Sequence, residues 1–385
     1  MEIRNPSTSL KSETIKLLSD LIAEDTTNPP GNEARAADVV KRFFEAEGIA
    51  YRIFEKEKGR TNIIGYIGKG KPRMLLSCHM DTVPAGEGWD SNPFKARVDG
   101  DKIYGRGAVD NKGPLVGILM AAKTLKKVEA SLRGQVIVAC VADEEAGSKL
   151  GMKYLLDECG MTAEYAIVPD IEHELRKIDV AEKGLLFLKI ISYGKQAHGS
   201  APDEGINAVW NMLDFLEMLK KYKMKFKKHS LLSAPTLNLG VIKGGEATNI
   251  VPARCDAHID IRYLPSQKSL DIISDVRKML AVVKRRNRKA KFTLEVIDDQ
   301  KPVAVEGGAL IDMIKRHVKA VTGKQAELIG ISGTTLVKPL AAAGVTAVGF
   351  SPGKGLAHMS NEYISIKELV NFSEIIVLVC MDILA

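Results

Sequence analysis

Several histidine and carboxylate side chains follow short apolar segments of the sequence, at the points where predicted strands end. They are His79, Asp81, Glu144, Glu145, Asp170 and His358. Because the carboxyl ends of strands in an open α/β sheet lie along one edge, these side chains could meet there. Imidazole and carboxylate ligands without thiolate are typical of zinc, cobalt or manganese sites. Taken alone, a pair such as His79 and Asp81 is equally compatible with a surface histidine beside an acid.

A glycine-rich loop supplies a further carboxylate. Residues 105–113 contain Gly105, Gly107 and Gly113, and Asp110 lies just before a predicted helix. Glycines allow close backbone approach and unusual dihedral angles. The spacing matches neither the P-loop nor the dinucleotide-binding pattern, which disfavours a phosphate loop. A carboxylate that bridged two metal ions about 3.5–4 Å apart would help them to activate a hydrolytic water.

A sheet covered by helices is needed to position these side chains. Short apolar segments, such as residues 74–78 and 136–141, alternate with helical patterns, such as residues 114–127. Alternation of this kind predicts an α/β fold, with a mixed, mostly parallel sheet and helices on both faces.

The pattern changes between residues 183 and 297, where the predicted order is β–α–β–β–α–β. This order is typical of a ferredoxin-like α+β module. Helix–strand alternation resumes afterwards. The sequence therefore predicts a discontinuous first domain at residues 1–182 and 298–385, with an inserted domain at residues 183–297.

Charge is distributed unevenly over the 385 residues. The whole chain carries a net charge of +7, and residues 184–297 alone carry +10. Basic runs at residues 220–228 and 284–291 could bind nucleic acid. Short basic runs are weak evidence, and solvated helix ends and loops explain them more simply. We therefore expect no nucleic-acid partner.

Composition also bears on the compartment. No run of about 18 apolar residues is present, which argues against a membrane span, and the polar first residues argue against a secretory signal. The five cysteines are scattered and show no CxxC pattern, as expected of reduced thiols. We therefore expect a cytoplasmic protein.

Five motifs together resemble those of the dinuclear zinc peptidases and deacylases, a family that includes acetylornithine deacetylase, succinyl-diaminopimelate desuccinylase, aminoacylase and glutamate carboxypeptidase. The motifs occur in the family's order and spacing at residues 77–81, 105–113, 143–145, 197–202 and 358–362. The resemblance extends over essentially the whole chain. It implies a homodimeric hydrolase of linear amide or peptide bonds with two divalent metal ions, zinc as first choice and cobalt or manganese as alternatives.

The resemblance also implies a ligand set. His79 and Asp170 would hold one metal ion, Glu145 and His358 would hold the other, and Asp110 would bridge the two.

Two more residues receive roles in the same way. Glu144 would be the general base, which takes a proton from water and passes it to the leaving amine. Asp81 would hold the His79 ring by a hydrogen bond. The resemblance further implies a cis peptide bond between Asp110 and Asn111.

The inserted domain would form a lid and the dimer interface. His198 resembles the family histidine that crosses from a partner subunit to the scissile carbonyl oxygen, where a hydrogen-bond donor stabilises the oxyanion. Without the resemblance, His198 would simply be expected to cap the helix that begins near Asn207.

Four further residues match substrate-binding positions of relatives: Asn249, Arg262, Gly333 and Thr334. Arg262 could clamp a substrate carboxylate with two parallel hydrogen bonds. A strand-end ion pair of Arg262 with Asp260 or Asp256 is the alternative. The loop at Gly333 and Thr334 lacks the acid that relatives carry there.

The expected substrate is a small N-acyl amino acid or short peptide. Desuccinylation of N-succinyl-diaminopimelate or deacetylation of acetylornithine is the first hypothesis. A dipeptidase or carboxypeptidase of the same family is the alternative. Asp170 stands where those deacylases and the carboxypeptidase usually carry glutamate, whereas relatives that cleave dipeptides or free N-termini more often carry aspartate. A non-catalytic, dimeric ligand-binding homologue is the hypothesis of another class. A serine hydrolase is excluded, because Pro352 lacks the N–H that the oxyanion hole after Ser351 requires.

Overall fold

The computed structural model of the protein describes residues 8–385, so the first seven residues of the expected first domain lie outside it. The chain forms two compact units. Unit 1 contains the chain up to Val180 together with Val305–Ile329 and Thr335–Ala385. Unit 2 contains Ala181–Ala304 and Gly330–Thr334.

Helices and strands alternate along most of the chain. The first part contains α1 (Thr8–Ala23), α2 (Ala34–Ala46), β1 (Ala50–Glu55), β2 (Thr61–Gly68), β3 (Arg73–His79), β4 (Arg97–Asp99), β5 (Lys102–Tyr104), α3 (Lys112–Lys127), β6 (Gln135–Val141), α4 (Met152–Asp157), β7 (Tyr165–Val168) and β8 (Lys177–Glu182). The middle part contains β9 (Gly184–Tyr193), α5 (Ala208–Lys221), β10 (Thr236–Gly244), β11 (Arg254–Tyr263), α6 (Ser269–Arg286), β12 (Lys291–Gln300) and β13 (Val303–Ala304). The last part contains α7 (Ala309–Thr322), β14 (Glu327–Ile331), α8 (Val337–Ala342), β15 (Thr346–Gly349), β16 (Tyr363–Ser365) and α9 (Ile366–Leu384).

Unit 1 is built on a mixed sheet whose strands lie in the order β1-β2-β6-β3-β7-β15-β8. The central pairs β6–β3, β3–β7 and β7–β15 are parallel, whereas β1–β2 and β2–β6 are antiparallel. Strand β3 is buried along almost its whole length, as expected of a central parallel strand whose two faces are both covered. The predicted α/β class with a mixed sheet is confirmed.

Two groups of helices cover this sheet. Helix α3 packs against α1 and α9, and α7 packs against α9, whereas α4 packs against α8. Helix α3 is buried over most of its surface, which agrees with its nearly continuous apolar sequence. None of the helices in the described part of the chain is both long and apolar enough to span a membrane.

Unit 2 contains a four-stranded antiparallel sheet in the order β10-β11-β9-β12. The chain order β9–α5–β10–β11–α6–β12 is the ferredoxin-like pattern. Buried side chains of β9 and β11 pack against α5 and α6, for example Leu188 and Ile259 against Phe215 and Val276. Asn207 caps helix α5 by accepting the N–H groups of Val209 and Trp210, so the capping role considered for His198 is wrong.

Candidate metal centre

Three neighbouring parallel strands end at the same edge of the unit 1 sheet. His79 is the last residue of β3 and lies opposite Val141, the last residue of β6. The run that contains Glu144 and Glu145 begins just after β6, and Asp170 comes just after β7. The strand ends therefore bring together the side chains that the sequence analysis placed at this edge.

Asp110 lies between two imidazole rings and is largely buried. Its Oδ1 is 2.9 Å from Nε2 of His79, and its Oδ2 is 3.2 Å from Nε2 of His358. Each carboxylate oxygen thus faces a different histidine, which is the arrangement that a bridging ligand requires.

Each histidine also faces a second acid. Nε2 of His79 lies 3.8 Å from Oδ1 of Asp170. Nε2 of His358 lies 3.3 Å from Oε2 of Glu145. Two clusters of one imidazole and one further carboxylate therefore share Asp110, so the structure brings all five expected ligands together.

The donor set fits divalent cations. Ligand atoms of His79, Asp110 and Glu145 lie within 4.8 Å of one another, as do those of His79, Glu144 and Asp170. Oε1 of Glu145 is buried and has no hydrogen-bond partner. An unpartnered buried carboxylate oxygen is costly unless a cation compensates it. These nitrogen and oxygen donors are typical of zinc and of harder divalent metals.

Electrostatic coupling is strong at this edge. Hydrogen bonds with Asp110 and Glu145 raise the pKa of His358 to about 10. Burial opposes the charge on His79, but hydrogen bonds with carboxylates outweigh it and raise the pKa of the His79 ring well above its usual value. Burial, together with the charge of Asp170, raises the pKa of Glu144 well above its usual value. The two rings therefore hold positive charge when no metal compensates the acids.

Asp81 is fully buried and supports this cluster in two ways. Its main-chain oxygen accepts a hydrogen bond from Nδ1 of His79 at 2.9 Å, and its Oδ1 lies 3.5 Å from the same nitrogen. Because Nδ1 must carry the proton, Nε2 of His79 is left for a metal. The carboxylate of Asp81 also accepts the main-chain N–H groups of Glu144 and Glu145, both at 3.1 Å.

Glu362 fixes the loop that carries Asp110. Its Oε1 accepts the main-chain N–H groups of Val109 and Asp110 at 2.6 and 3.0 Å. Its Oε2 accepts from Arg106 Nη1 at 2.7 Å and from Gly107 N at 3.2 Å, and both Arg106 and Glu362 are buried. Sequence reasoning assigned no role to this carboxylate, although it lies in the motif at residues 358–362.

Asn111 follows Asp110 and connects its loop to the loop of Asp170. The peptide bond between Asp110 and Asn111 is cis, as the resemblance implied. The Asn111 amide donates to the main-chain oxygen of Pro169 at 2.7 Å, next to Asp170.

The loop that carries His358 is held by a second acid that sequence reasoning missed. Oε2 of Glu172 accepts the main-chain N–H groups of Leu356 and Ala357 at 2.9 and 3.0 Å. His358 itself has a φ of 64°, in the left-handed region that few non-glycine residues occupy. The position of His358 thus depends on a contact between Glu172 and Leu356, which are 184 residues apart in sequence.

In unit 2, the loop of His198 lies against the loop of Asn249. The Gly199 N–H donates to the Asn249 oxygen at 2.7 Å, and a Cβ on Gly199 would be only 2.9 Å from the Asn249 carbonyl carbon. The His198 ring is exposed, and its Nδ1 accepts the N–H of Ser200 at 3.1 Å.

Arg262 pairs with Asp260, at 2.8 Å between Nε and Oδ1 and 3.2 Å between Nη2 and Oδ2. The ion pair considered from the sequence is therefore present. Nη1 of Arg262 also lies 3.3 Å from Oγ1 of Thr334. Thr334 follows Gly333 in the segment Gly330–Thr334, which belongs to unit 2 although it is distant in sequence from the rest of that unit. The structure thus brings Arg262 and Thr334 together, while Asp256 pairs with Arg254 instead.

This combination of fold and site matches known proteins. The chain belongs to peptidase family M20/M25/M40, whose model matches residues 75–382. An uncharacterized metallohydrolase of Methanocaldococcus jannaschii is 30% identical over 95% of this chain and 98% of its own. A probable succinyl-diaminopimelate desuccinylase of Staphylococcus aureus is 28% identical over 93% and 94%. An acetylornithine deacetylase of Proteus mirabilis is 31% identical over 69% of both chains.

Solved structures show the same fold. The aminopeptidase PepT from Bacillus cereus superposes with a TM-score of 0.76 at 21% identity, over 97% of this chain and 98% of that one. A dinuclear metal-binding peptidase from Bacillus subtilis superposes with a TM-score of 0.75 at 15% identity, over 98% and 99%. The chain is therefore a metallohydrolase of amide or peptide bonds, as expected from its motifs.

Proposed function

We propose that the protein is a dinuclear metal-dependent amidohydrolase in which Glu144 is the general base. The observation that carries the proposal is the position of Asp110, with one carboxylate oxygen on each of two histidines. His79 and Asp170 would hold one ion, and Glu145 and His358 the other. Zinc is the first choice of metal, with cobalt or manganese as alternatives.

The ions, when bound, would polarise the scissile carbonyl and lower the pKa of water. Glu144 lies within reach of this chemistry, because one of its oxygens is within 4.8 Å of ligand atoms of His79 and Asp170. It would accept a proton from the attacking water and return that proton to the leaving amine. A raised pKa makes the Glu144 carboxylate a stronger base, which favours its taking a proton from water.

His198 would act at the scissile oxygen of a neighbouring subunit. Because its Nδ1 accepts the N–H of Ser200, the proton of the neutral ring lies on Nε2. Nε2 of this exposed ring can then donate to the developing oxyanion, which is worth about 2.7–4 kcal/mol in comparable sites.

A homodimer formed through unit 2 would supply that histidine. Strand β10 is an edge strand, and with α5 it lines an apolar groove of about 1000 Å³. Exposed apolar side chains at this face include Trp210 at 66% and Ile242 at 45% exposure. A patch of this kind on an open sheet edge favours pairing with a second copy by a two-fold axis.

Substitution of Trp210 tests the dimer. We expect Trp210→Glu to give a monomer by light scattering and to lose turnover, because the partner's histidine is removed from the site. Leu270→Glu is the matched control, since Leu270 is 73% exposed on the other helix of unit 2. A dimeric and active Trp210→Glu variant would contradict this interface.

For the substrate, we propose a small N-acyl amino acid, with desuccinylation of N-succinyl-diaminopimelate or deacetylation of acetylornithine as the first hypothesis. Relatives with those two names support it. Arg262, assisted by Asn249 and the Gly333–Thr334 segment, would bind the substrate's carboxylate. A dipeptidase or carboxypeptidase is the second candidate, and aspartate rather than glutamate at position 170 favours the dipeptidase.

A hydrolysis screen tests the proposed reaction. Purified protein loaded with zinc, cobalt or manganese would be assayed with N-succinyl-diaminopimelate, acetylornithine, other acyl amino acids and dipeptides. Glu144→Gln is the control, and we expect it to lower kcat by about 10²–10⁴-fold while both metals stay bound. Absence of turnover with every substrate and metal would instead favour a non-catalytic ligand-binding homologue.

A further inference from the structure

The turn at residues 28–31 contacts Asp143, the residue directly before Glu144. Asn28 is buried, and its Nδ2 donates to Oδ2 of Asp81 at 2.8 Å. The same nitrogen is 3.4 Å from Oδ1 of Asp143. One amide therefore joins two buried carboxylates: Asp81, which holds the N–H groups of residues 144 and 145, and Asp143, which directly precedes the base.

Arg60 and Glu33 extend this contact into a buried cluster. Arg60 donates to both oxygens of Glu33, at 2.7 Å from Nε and 2.8 Å from Nη2. Nη2 of Arg60 also donates to Oδ1 of Asp143 at 3.0 Å. The Glu33 side chain is fully buried, and the Arg60 side chain is only 13% exposed. A bidentate pair of this kind has a defined geometry as well as charge.

Asp143 is held at every polar atom of its side chain and by its main-chain N–H. Its Oδ2 accepts the N–H of Leu150 at 3.0 Å, and its own N–H donates to Glu33 at 3.1 Å. Its φ is 64°, a left-handed conformation that is costly for a non-glycine residue and persists where its surroundings hold it in place. Because Glu144 follows directly, this conformation sets the direction in which the base leaves the backbone.

Gly31 makes room for the guanidinium. A Cβ at Gly31 would lie 2.4 Å from Nε of Arg60, and the φ of Gly31 is 99°. The turn and the Arg60 side chain are therefore in direct contact, and a side chain at position 31 would displace the guanidinium without removing its charge.

We propose that Arg60, together with Asn28 and Glu33, positions the general base by locking the backbone of Asp143. Arg60 is a positioning residue, since it acts on Glu144 only through Asp143. This inference rests on the proposed role of Glu144. Asp81 holds the N–H groups of both Glu144 and Glu145, whereas Arg60 contacts Asp143, the residue directly before Glu144. Loss of Arg60 is thus expected to impair proton transfer and leave metal binding intact.

Kinetics of Arg60 variants test the proposal. We expect Arg60→Met to lower kcat by about 10- to 100-fold, because displacing a catalytic group by about 1 Å costs about that much, with KM changed by less than about threefold. Metal analysis is expected to find as many ions per chain as in the wild type. Arg60→Lys is expected to recover part of kcat, and added guanidinium to recover part of the Arg60→Met activity.

Arg73→Met is the matched control, because Arg73 also pairs with a glutamate but begins β3, at the opposite end of that strand from His79. Should Arg60→Met fail to fold, Gly31→Ala, which moves the guanidinium but keeps it, is expected to show the same loss in kcat. A crystal structure of a metal-loaded Arg60 variant is expected to show the Glu144 carboxylate displaced while Glu145 stays in place.

The outcomes separate this inference from the proposed function. If the wild type shows no turnover, the proposed function is wrong, and if Glu144→Gln is as active as the wild type, the role of Glu144 is wrong. If Glu144→Gln is inactive but Arg60→Met and Gly31→Ala keep kcat within about twofold of the wild type, Arg60 does not position the base. Equal losses of metal and activity in Arg60→Met would also overturn the proposal, since they would show a general structural role.

Discussion

Loading of the metal-free protein with zinc is expected to release about two protons per chain near neutral pH. Metal binding requires neutral imidazole rings. Hydrogen bonds with Asp110 and Glu145 raise the pKa of His358 to about 10, so this ring is protonated near neutral pH when no metal is bound. The pKa of His79 is also raised well above its usual value. In the proposed site, each ion would therefore displace one proton from one ring.

The pH dependence follows with a definite sign. A higher pH removes the competing protons, so the apparent association constant of each ion is expected to rise about tenfold per pH unit between about pH 7 and 8. For the metal-free protein, the raised pKa of His358 contributes stability that is fully present below about pH 6.5 and is lost as the pH rises toward about 10. The metal-loaded protein lacks this contribution.

Isothermal titration calorimetry in buffers of different ionisation enthalpy measures the number of protons released. The slope of the apparent enthalpy against the buffer's ionisation enthalpy gives that number directly. His358→Ala is the internal control, and we expect it to release about one proton fewer than the wild type. Release of less than about one proton by the wild type, or an unchanged value in His358→Ala, would refute the link between the two rings and the two ions.

Two predictions concern the loop that carries Asp110. Glu362→Gln leaves the buried Arg106 without its ion pair and is expected to lower the free energy of unfolding, measured by urea titration, by about 3–5 kcal/mol. The control Glu164→Gln, at a partly exposed pair, is expected to lower it by about 1 kcal/mol or less. Equal losses in the two variants would contradict the prediction. Gly113→Ala places a Cβ 2.0 Å from the Ala108 oxygen, so it is expected to lower the free energy of unfolding by at least about 1–3 kcal/mol and to reduce the amount of bound metal. In the control Gly355→Ala, the added Cβ meets no atom within 4 Å, and we expect nearly unchanged stability. Wild-type stability and metal content in Gly113→Ala would show that the loop tolerates the shift.

Much of unit 1 could be predicted because its pattern is local. Short apolar strands that alternate with helices indicate a sheet with a parallel centre, and polar residues at strand ends then fall on one edge. His79, Glu145 and Asp170 are of this kind. His358 is less local, because seven residues separate it from the end of the preceding apolar segment at residue 350 and a distant carboxylate, Glu172, holds its loop.

The supporting carboxylates could not be predicted in the same way. Glu362 and its partner Arg106 are 256 residues apart, and Arg60 and Asp143 are 83 residues apart. Sequence spacing carries no signal for pairs at such separations. For the same reason, the sequence did not show that Gly330–Thr334 belongs to unit 2. Only the folded chain brings Ile331 beside Lys183, where the Lys183 N–H donates to the main-chain oxygen of Ile331.

Anomalous scattering from a crystal of the zinc-loaded protein tests the dinuclear centre most directly. We expect two ions per chain about 3.5–4 Å apart, one beside His79 and Asp170, the other beside His358 and Glu145, with a carboxylate oxygen of Asp110 on each. A single ion, or two ions that do not share Asp110, would contradict the proposed site.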